Sequence, residues 1–273
     1  MDFPSARQHL YRLLHQDTSF SVAEAALYIA QEGYPDLSVG HYLQRLDEMA
    51  EIVSRRMPPE PYPLRIVKTI NQYLYGELGF WGNEPDYYNP DNSFLNRVLD
   101  LRTGIPITLS LVYLEIAQRI GFPMEGINFP GHFLIRPVQA DMDLYVDPFH
   151  QGDILFRQDC RNRLETLYGH PVPLRSEFFA AIGPRSFLIR MLTNLKHIYL
   201  NQGNLLKCLA ASERILLVDP NDGLERRDRG LLYYQLGRWV ESRQDLEDYL
   251  DQKPQAQDRS LIHQLLNRMS QNS

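Results

Sequence analysis

Cysteine is nearly absent from this chain. Cys160 and Cys208 are the two in 273 residues, they lie far apart, and neither belongs to a Cys-x-x-Cys pair. Neither a disulfide framework nor a zinc knuckle is implied. Basic charge is short as well: 28 Lys and Arg against 34 Asp and Glu leave a net charge of -6. With no basic excess to neutralise a phosphate backbone, a general nucleic-acid binder is excluded. The local cluster Arg226, Arg227 and Arg229 is preceded by Glu225 and interrupted by Asp228, so it reads as a solvated helix face. Long apolar runs are missing too. The most apolar helical stretch, Ile105 to Ile120, is broken by Glu115 and Arg119 and is too short to span a bilayer. Met1-Asp-Phe-Pro-Ser has no basic region followed by an apolar run, so no secretory signal is expected. These absences predict a cytoplasmic protein with neither a nucleic-acid nor a membrane partner.

What is present is helical at both ends. Residues 1–60 read as a helical unit in which Leu10, Leu13 and Leu14, then Val22, Ala25, Ala26 and Ile29, recur at helical spacing. Ser21 and Glu24 form a capping-box pattern, and a third helix from Ser38 to Arg55 carries Leu43, Leu46, Met49, Ala50 and Val53. The run Pro58, Pro59, Pro61 and Pro63 marks a joint. A second unit, 61–175, opens with a helix bearing Ile66, Val67, Ile70, Leu74 and Leu78, followed by a short helix capped by Asp91 or Asn92. Its central helix starts at Gly104-Ile-Pro106, where a first-turn proline lacks no needed donor. That helix is apolar over most of its circumference and must be buried on nearly all sides.

Short strands are expected at about Glu125 to Phe129, His132 to Arg136 and Leu144 to Asp147. The last two form a hairpin about the polar loop Gln139 to Asp143, and His132 and Asp147 lie symmetrically about it. Facing residues of such a pair have Cβ atoms roughly 4.5 to 5.5 Å apart, within reach of a His-Asp hydrogen bond. The third unit, 184–273, contains an internal repeat. Tyr199, Gly203 and Pro220 recur 34 residues later as Tyr233, Gly237 and Pro254. Cys208 aligns with Ser242, Ile215 with Tyr249, and Leu195 with Arg229, where a charge replaces the usual apolar residue. Leu261, Leu265, Leu266 and Met269 supply a capping helix.

The succession of a buried helix, Pro130-Gly-His-Phe-Leu-Ile-Arg136 and Val146-Asp-Pro-Phe-His150, with Asn92-Ser-Phe-Leu-Asn96 and Gly104-Ile-Pro-Ile-Thr-Leu-Ser110, resembles the transglutaminase-like, papain-like superfamily. The 34-residue repeat resembles tetratricopeptide repeats. Together they resemble a bacterial branch that joins the two and carries the description of regulators of virulence-gene expression. The fold implied is α+β and mainly helical, with a transglutaminase-like core around a small antiparallel sheet and a C-terminal helical repeat unit.

In catalytic members a Cys thiolate opens the central helix, a strand-borne His is the base and an Asp orients it. The matching positions here are Pro106, His132 and Asp147. Proline offers no nucleophile. His132 and Asp147 then read as a remnant dyad, with Thr108 and Ser110 as weak candidate nucleophiles. Either hydroxyl can equally bond back to the preceding helical turn. Cys160 is a displaced nucleophile, a metal ligand beside His150, or an inert core thiol, the last being usual. Asn92, Asn96, Arg102, Arg136 and His150 are candidates to border a small ligand in the cleft, or equally helix caps and surface pairs. Arg190, His197, Asn201, Arg227 and Tyr234 fall on the inner face that the repeat resemblance implies for a protein or peptide partner. The expectation is a non-catalytic interaction or regulatory protein needing no cofactor or metal. The alternative is an amide or peptide hydrolase or transferase that pairs a displaced nucleophile with His132 and Asp147.

Overall fold

The computed structural model describes residues 5–15, 20–138 and 143–271. The chain forms two compact units, Met1–Phe187 and Leu188–Ser273. The fold is mainly helical with two small sheets. No helix among the described residues is long and apolar enough to cross a membrane.

The first unit is organised around α6, Pro106–Arg119. Ten of its fourteen residues are buried, including Ile107, Leu109, Leu111, Val112 and Tyr113. Each such aliphatic side chain, fully withdrawn from water, contributes about 1.5–3 kcal/mol. Four helices supply the cover: α2 (Val22–Gln31), α3 (Val39–Arg55), α4 (Pro63–Asn71) and α5 (Leu95–Leu101) all pack against α6. Helix α1 (Ser5–Leu14) lies on α2. Caps follow the expected chemistry in part. Ser21 accepts from the Glu24 amide at 3.2 Å, and Ser38 caps α3 by accepting from His41. The cap of α5 differs from expectation: neither Asp91 nor Asn92 caps it, and Phe94 precedes it without a side-chain cap. Asn89 instead caps a 3-10 turn, Pro90–Ser93, because Pro90 sets the first turn one step earlier. Asn92 and Asp91 are then inside that turn.

Two strands that the sequence pattern does not reveal, β1 (Trp81–Gly82) and β2 (Thr103–Gly104), pair in parallel immediately before α6. They are too short for any alternation to register. The four-stranded sheet runs β3 (Met124–Ile127), β4 (Leu134–Pro137), β5 (Tyr145–Asp147), β6 (Asp153–Leu155), all antiparallel. The loop expected at Gln139 to Asp143 lies, up to residue 142, outside the described residues. β4 begins two residues later than predicted, so His132 stands in the turn before it rather than on it. β6 is a further strand, reached by the tight turn after Asp147. Beneath the sheet, α7 (Arg157–Tyr168) inserts Cys160 and Leu164 among Phe129, Leu134, Tyr145, Leu155 and Phe179.

In the second unit, α9 (Leu205–Val218), α10 (Gly223–Gln235), α11 (Trp239–Gln252) and α12 (Arg259–Gln271) pack in succession, preceded by the later turns of α8 (Pro184–Asn201). The 34-residue spacing is structural. Gly203 and Gly237 take positive φ after α8 and α10, as a helix-ending residue in the left-handed region does. Cys208 and Ser242 are both buried. Ser242 Oγ donates to the Gly230 carbonyl at 2.8 Å, so its hydroxyl costs little in the interior.

Candidate functional site

The site is built on the sequence Asp147-Pro-Phe-His-Gln-Gly. Asp147 ends β5 and caps a 3-10 turn, Pro148–His150, its carboxylate accepting from the amides of Phe149 at 3.1 Å and His150 at 3.3 Å. Pro148 presets the first turn, and Gly152 at φ 75° returns the chain into β6. The turn is anchored from two sides. Asn71 Nδ2 donates to the Gly152 carbonyl at 2.7 Å and is itself held by the Tyr113 hydroxyl of α6 at 3.1 Å. On the other side β1 approaches so closely that a side chain at Gly82 would strike the Phe149 carbonyl at 2.5 Å. Because β1 pairs with β2, and β2 leads into Pro106, the turn stands beside the strand pair from which α6 starts.

His132 reaches this turn from the segment before β4, where its amide donates to the Phe129 carbonyl at 2.9 Å. His132 Nε2 lies 2.8 Å from Asp147 Oδ1. The contact anticipated from the spacing is present, but the register differs. Ile135 pairs with Val146, so the two sites are offset by two residues rather than directly opposed. The side chains meet on the diagonal.

Two further groups converge on the same carboxylate. His150 Nδ1 is 2.7 Å from Asp147 Oδ2, and Arg163 of α7 also donates to that oxygen. Asp147 has no exposed side-chain surface, whereas His132 and His150 retain 17% and 42% of theirs. Burial alone would raise the Asp147 carboxyl; hydrogen bonds from His132 and His150, the neighbouring positive charge and Arg163 hold it well below the usual carboxylate range. His150 is pushed up, chiefly by its hydrogen bond to Asp147. Tyr75, in a turn of π-helix spanning Gln72–Glu77, is raised well above the usual phenol by burial, with the charges of Tyr113 and Asp147 adding. It stays protonated. Among the described residues, His132, Asp147 and His150 offer three ligand atoms within 4.8 Å of one another, a group able to hold a metal ion. Arg163 was not legible beforehand: nothing in Arg157–Tyr168 distinguishes it from the other arginines of that helix.

The candidate nucleophiles make no hydrogen bond to His132 among the described residues. Thr108 Oγ1 donates to the Asn92 carbonyl at 2.7 Å and accepts from the Ile105 amide at 3.2 Å, closing the first turn of α6. Ser110 is fully buried, and its hydroxyl has no hydrogen-bond partner among the described residues. Cys160 is fully buried in the core beneath the sheet, and burial pushes its thiol up to about 11.

Several of the other candidate contacts have local partners. Asn92 is buried and donates to the carbonyls of Asp86 at 2.7 Å and Tyr87 at 3.2 Å while accepting from Asn83 at 3.0 Å, fixing the loop before it. Asn96 is buried with an unpartnered Oδ1 among the described residues. Arg102, in the left-handed region at φ 56°, donates to the Leu78 carbonyl at 2.8 Å. Arg136 donates to Glu125 at 2.6 Å across the β3–β4 pair. In the second unit, His197 and Asn201 are exposed and Arg190 is half-buried on α8. Arg227 lines an open groove of about 780 Å³ with Leu224, Tyr249, Lys253 and Pro254, and bonds to Asp228 and Asp258. Tyr234 packs its ring edge-on against Trp239.

Residues 40–193 match the family described as transglutaminase-like superfamily, and residues 195–267 match tetratricopeptide repeat. The chain belongs to the transglutaminase-like superfamily, with repeats following its core. It is 36% identical to a UPF0162 protein of Xylella fastidiosa over 87% of this chain and 86% of that one. A UPF0162 protein of Pseudomonas aeruginosa is 33% identical over 82% of each chain. Human F-box only protein 21 is 31% identical over 84% of this chain and 41% of its own length. No solved structure matches.

Proposed function

We propose that the chain is a non-catalytic interaction or regulatory protein, with a degenerate transglutaminase-like cleft and a repeat surface that holds a protein or peptide. One observation carries this reading: among the described residues, none of the hydroxyls or the thiol that could replace the missing cysteine hydrogen-bonds to His132. Thr108 is consumed in a helix cap, Ser110 is sealed in the interior, and Cys160 is buried in the apolar cluster beneath the sheet. His132 and Asp147 keep their mutual hydrogen bond, and His150 and Arg163 join them on the same carboxylate. A base without a nucleophile in hydrogen-bond reach has nothing to activate. The tetratricopeptide repeats and the open groove beside Arg227 support binding. The similarity to part of F-box only protein 21 supports use of the same layout within a larger protein.

The test uses the full chain. Ammonia release from glutamine peptides and cleavage of a mixed peptide substrate should match buffer alone. Turnover that disappears in His132→Ala would overturn the non-catalytic reading. For the repeats, a partner captured by the wild type should be lost by Arg227→Ala with Tyr234→Ala. Undiminished capture by that double variant would remove this surface from the function.

A further inference from the structure

Three side chains from separate segments meet at one point. His132 comes from the turn before β4, Asp147 from the end of β5 and His150 from the 3-10 turn that Asp147 caps. The His132 Nε2 to Asp147 Oδ1 contact is 2.8 Å, the His150 Nδ1 to Oδ2 contact is 2.7 Å, and one ligand atom of each residue lies within 4.8 Å of the others. Two imidazoles and one carboxylate are a donor set suited to first-row divalent transition ions, whereas magnesium and calcium favour oxygen alone. We propose that His132, Asp147 and His150 form a binding site for one divalent transition metal ion of the zinc class.

Donors about 2.0–2.2 Å from a tetrahedral zinc ion stand roughly 3.3–3.6 Å from one another. The two His–carboxylate contacts open by about half an ångström or more when the ion replaces the shared proton, and ligand atoms as much as 4.8 Å apart close in by up to about 1.5 Å. To offer lone pairs, a neutral His132 moves its proton to Nδ1 and a neutral His150 moves its proton to Nε2. A charged ring instead releases one proton to solvent. Glu84 Oε1, 3.8 Å from His150 Nε2, stands where an outer carboxylate would steady that tautomer. The carboxylate is already fixed in place by the Phe149 and His150 amides and by Arg163. Partial exposure of His150 gives an entry path and room for a solvent or ligand donor. Arg163 opposes a second positive charge and so weakens binding.

The experiment titrates Co²⁺ into the full-length protein, follows its visible d–d absorption, and then displaces it with Zn²⁺. One equivalent should bind, Zn²⁺ should displace it, and Mg²⁺ should not. His150→Ala and His132→Gln should each weaken binding at least about tenfold. Arg163→Gln retains all three ligands, removes the repulsion and should tighten it. Far-UV circular dichroism checks that each variant is folded; His150 is half-exposed, so its replacement still reads the site if His132→Gln does not fold. Failure of the wild type to take up Co²⁺, or an unchanged spectrum in His150→Ala, would overturn the proposal.

Discussion

His150 turns its Nδ1 to within 2.7 Å of Asp147 Oδ2, so its proton and the carboxylate's charge are linked. The folded state raises His150 and lowers Asp147. The His150 contribution to stability is therefore complete below its unfolded value, about 6.5, and is lost as pH rises through the higher folded value. The Asp147 contribution is complete above its unfolded value, about 3.9, and is lost as pH falls through the lower folded one. Chemical denaturation of wild type and His150→Gln should diverge most between about pH 4 and 6.5 and converge toward alkaline pH. The difference should stay under about 1 kcal/mol, because an imidazole 42% exposed is screened by water. A difference that persists undiminished from that range into alkaline pH would show that His150 and Asp147 are not coupled.

Cys160 should be silent toward thiol reagents in the native protein. It is fully buried, and burial raises its thiol to about 11, so almost no thiolate is present at neutral pH. Iodoacetamide labelling of Cys160, followed by peptide mass spectrometry, should become appreciable only in denaturant. Rapid native labelling that His132→Ala abolishes would instead join Cys160 to the dyad.

Gly152 is fixed by geometry on two counts. Its φ of 75° disfavours any side chain, and an added Cβ would lie 2.3 Å from Asn71 Oδ1, the residue that holds this turn. Gly152→Ala should therefore cost more than the roughly 1 kcal/mol of an ordinary left-handed position. Thermal melts should show it well below Gly121→Ala, where φ is also positive but nothing lies within 4 Å. Equal losses in the two variants would mean that the Asn71 anchor does not matter.

The sequence makes most of the helical fold legible because its apolar periods and its 34-residue repeat are long enough to register. The cleft is only half legible. Spacing brings His132 and Asp147 together, yet β4 starts at Leu134, since Gly131 at φ 71° keeps its neighbours in a turn. The pairing is therefore diagonal. Arg163 and Asn71 reach the site from helices remote in sequence, and a long-range hydrogen bond leaves no local pattern to read. β1 and β2, two residues each, fall below the length at which alternation can be seen.

The charge at Arg229, anomalous as the counterpart of Leu195, is explained by its partner. Arg229 grips Asp245 through two hydrogen bonds of 2.7 Å, and Asp245 occupies the position that Ala211 holds in the preceding repeat. Leu195 and Ala211 are both buried, and so is Asp245, so two buried apolar residues in one repeat correspond to an ion pair in the next. Removing one partner strands the other: Arg229→Leu leaves a carboxylate with 4% of its side chain exposed and no counter-charge. Such a loss costs about 3–5 kcal/mol, whereas replacing a buried ion pair as a whole by apolar residues is often neutral or stabilising. Asp245→Ala should also destabilise, though less, because Arg229 retains 22% exposure and can turn toward solvent. The double variant Arg229→Leu with Asp245→Ala copies the first repeat and should recover most of the loss, read as a coupling energy in urea denaturation. Additive losses would mean that the two positions act independently, and that the equivalence of the two repeats does not extend to this pair.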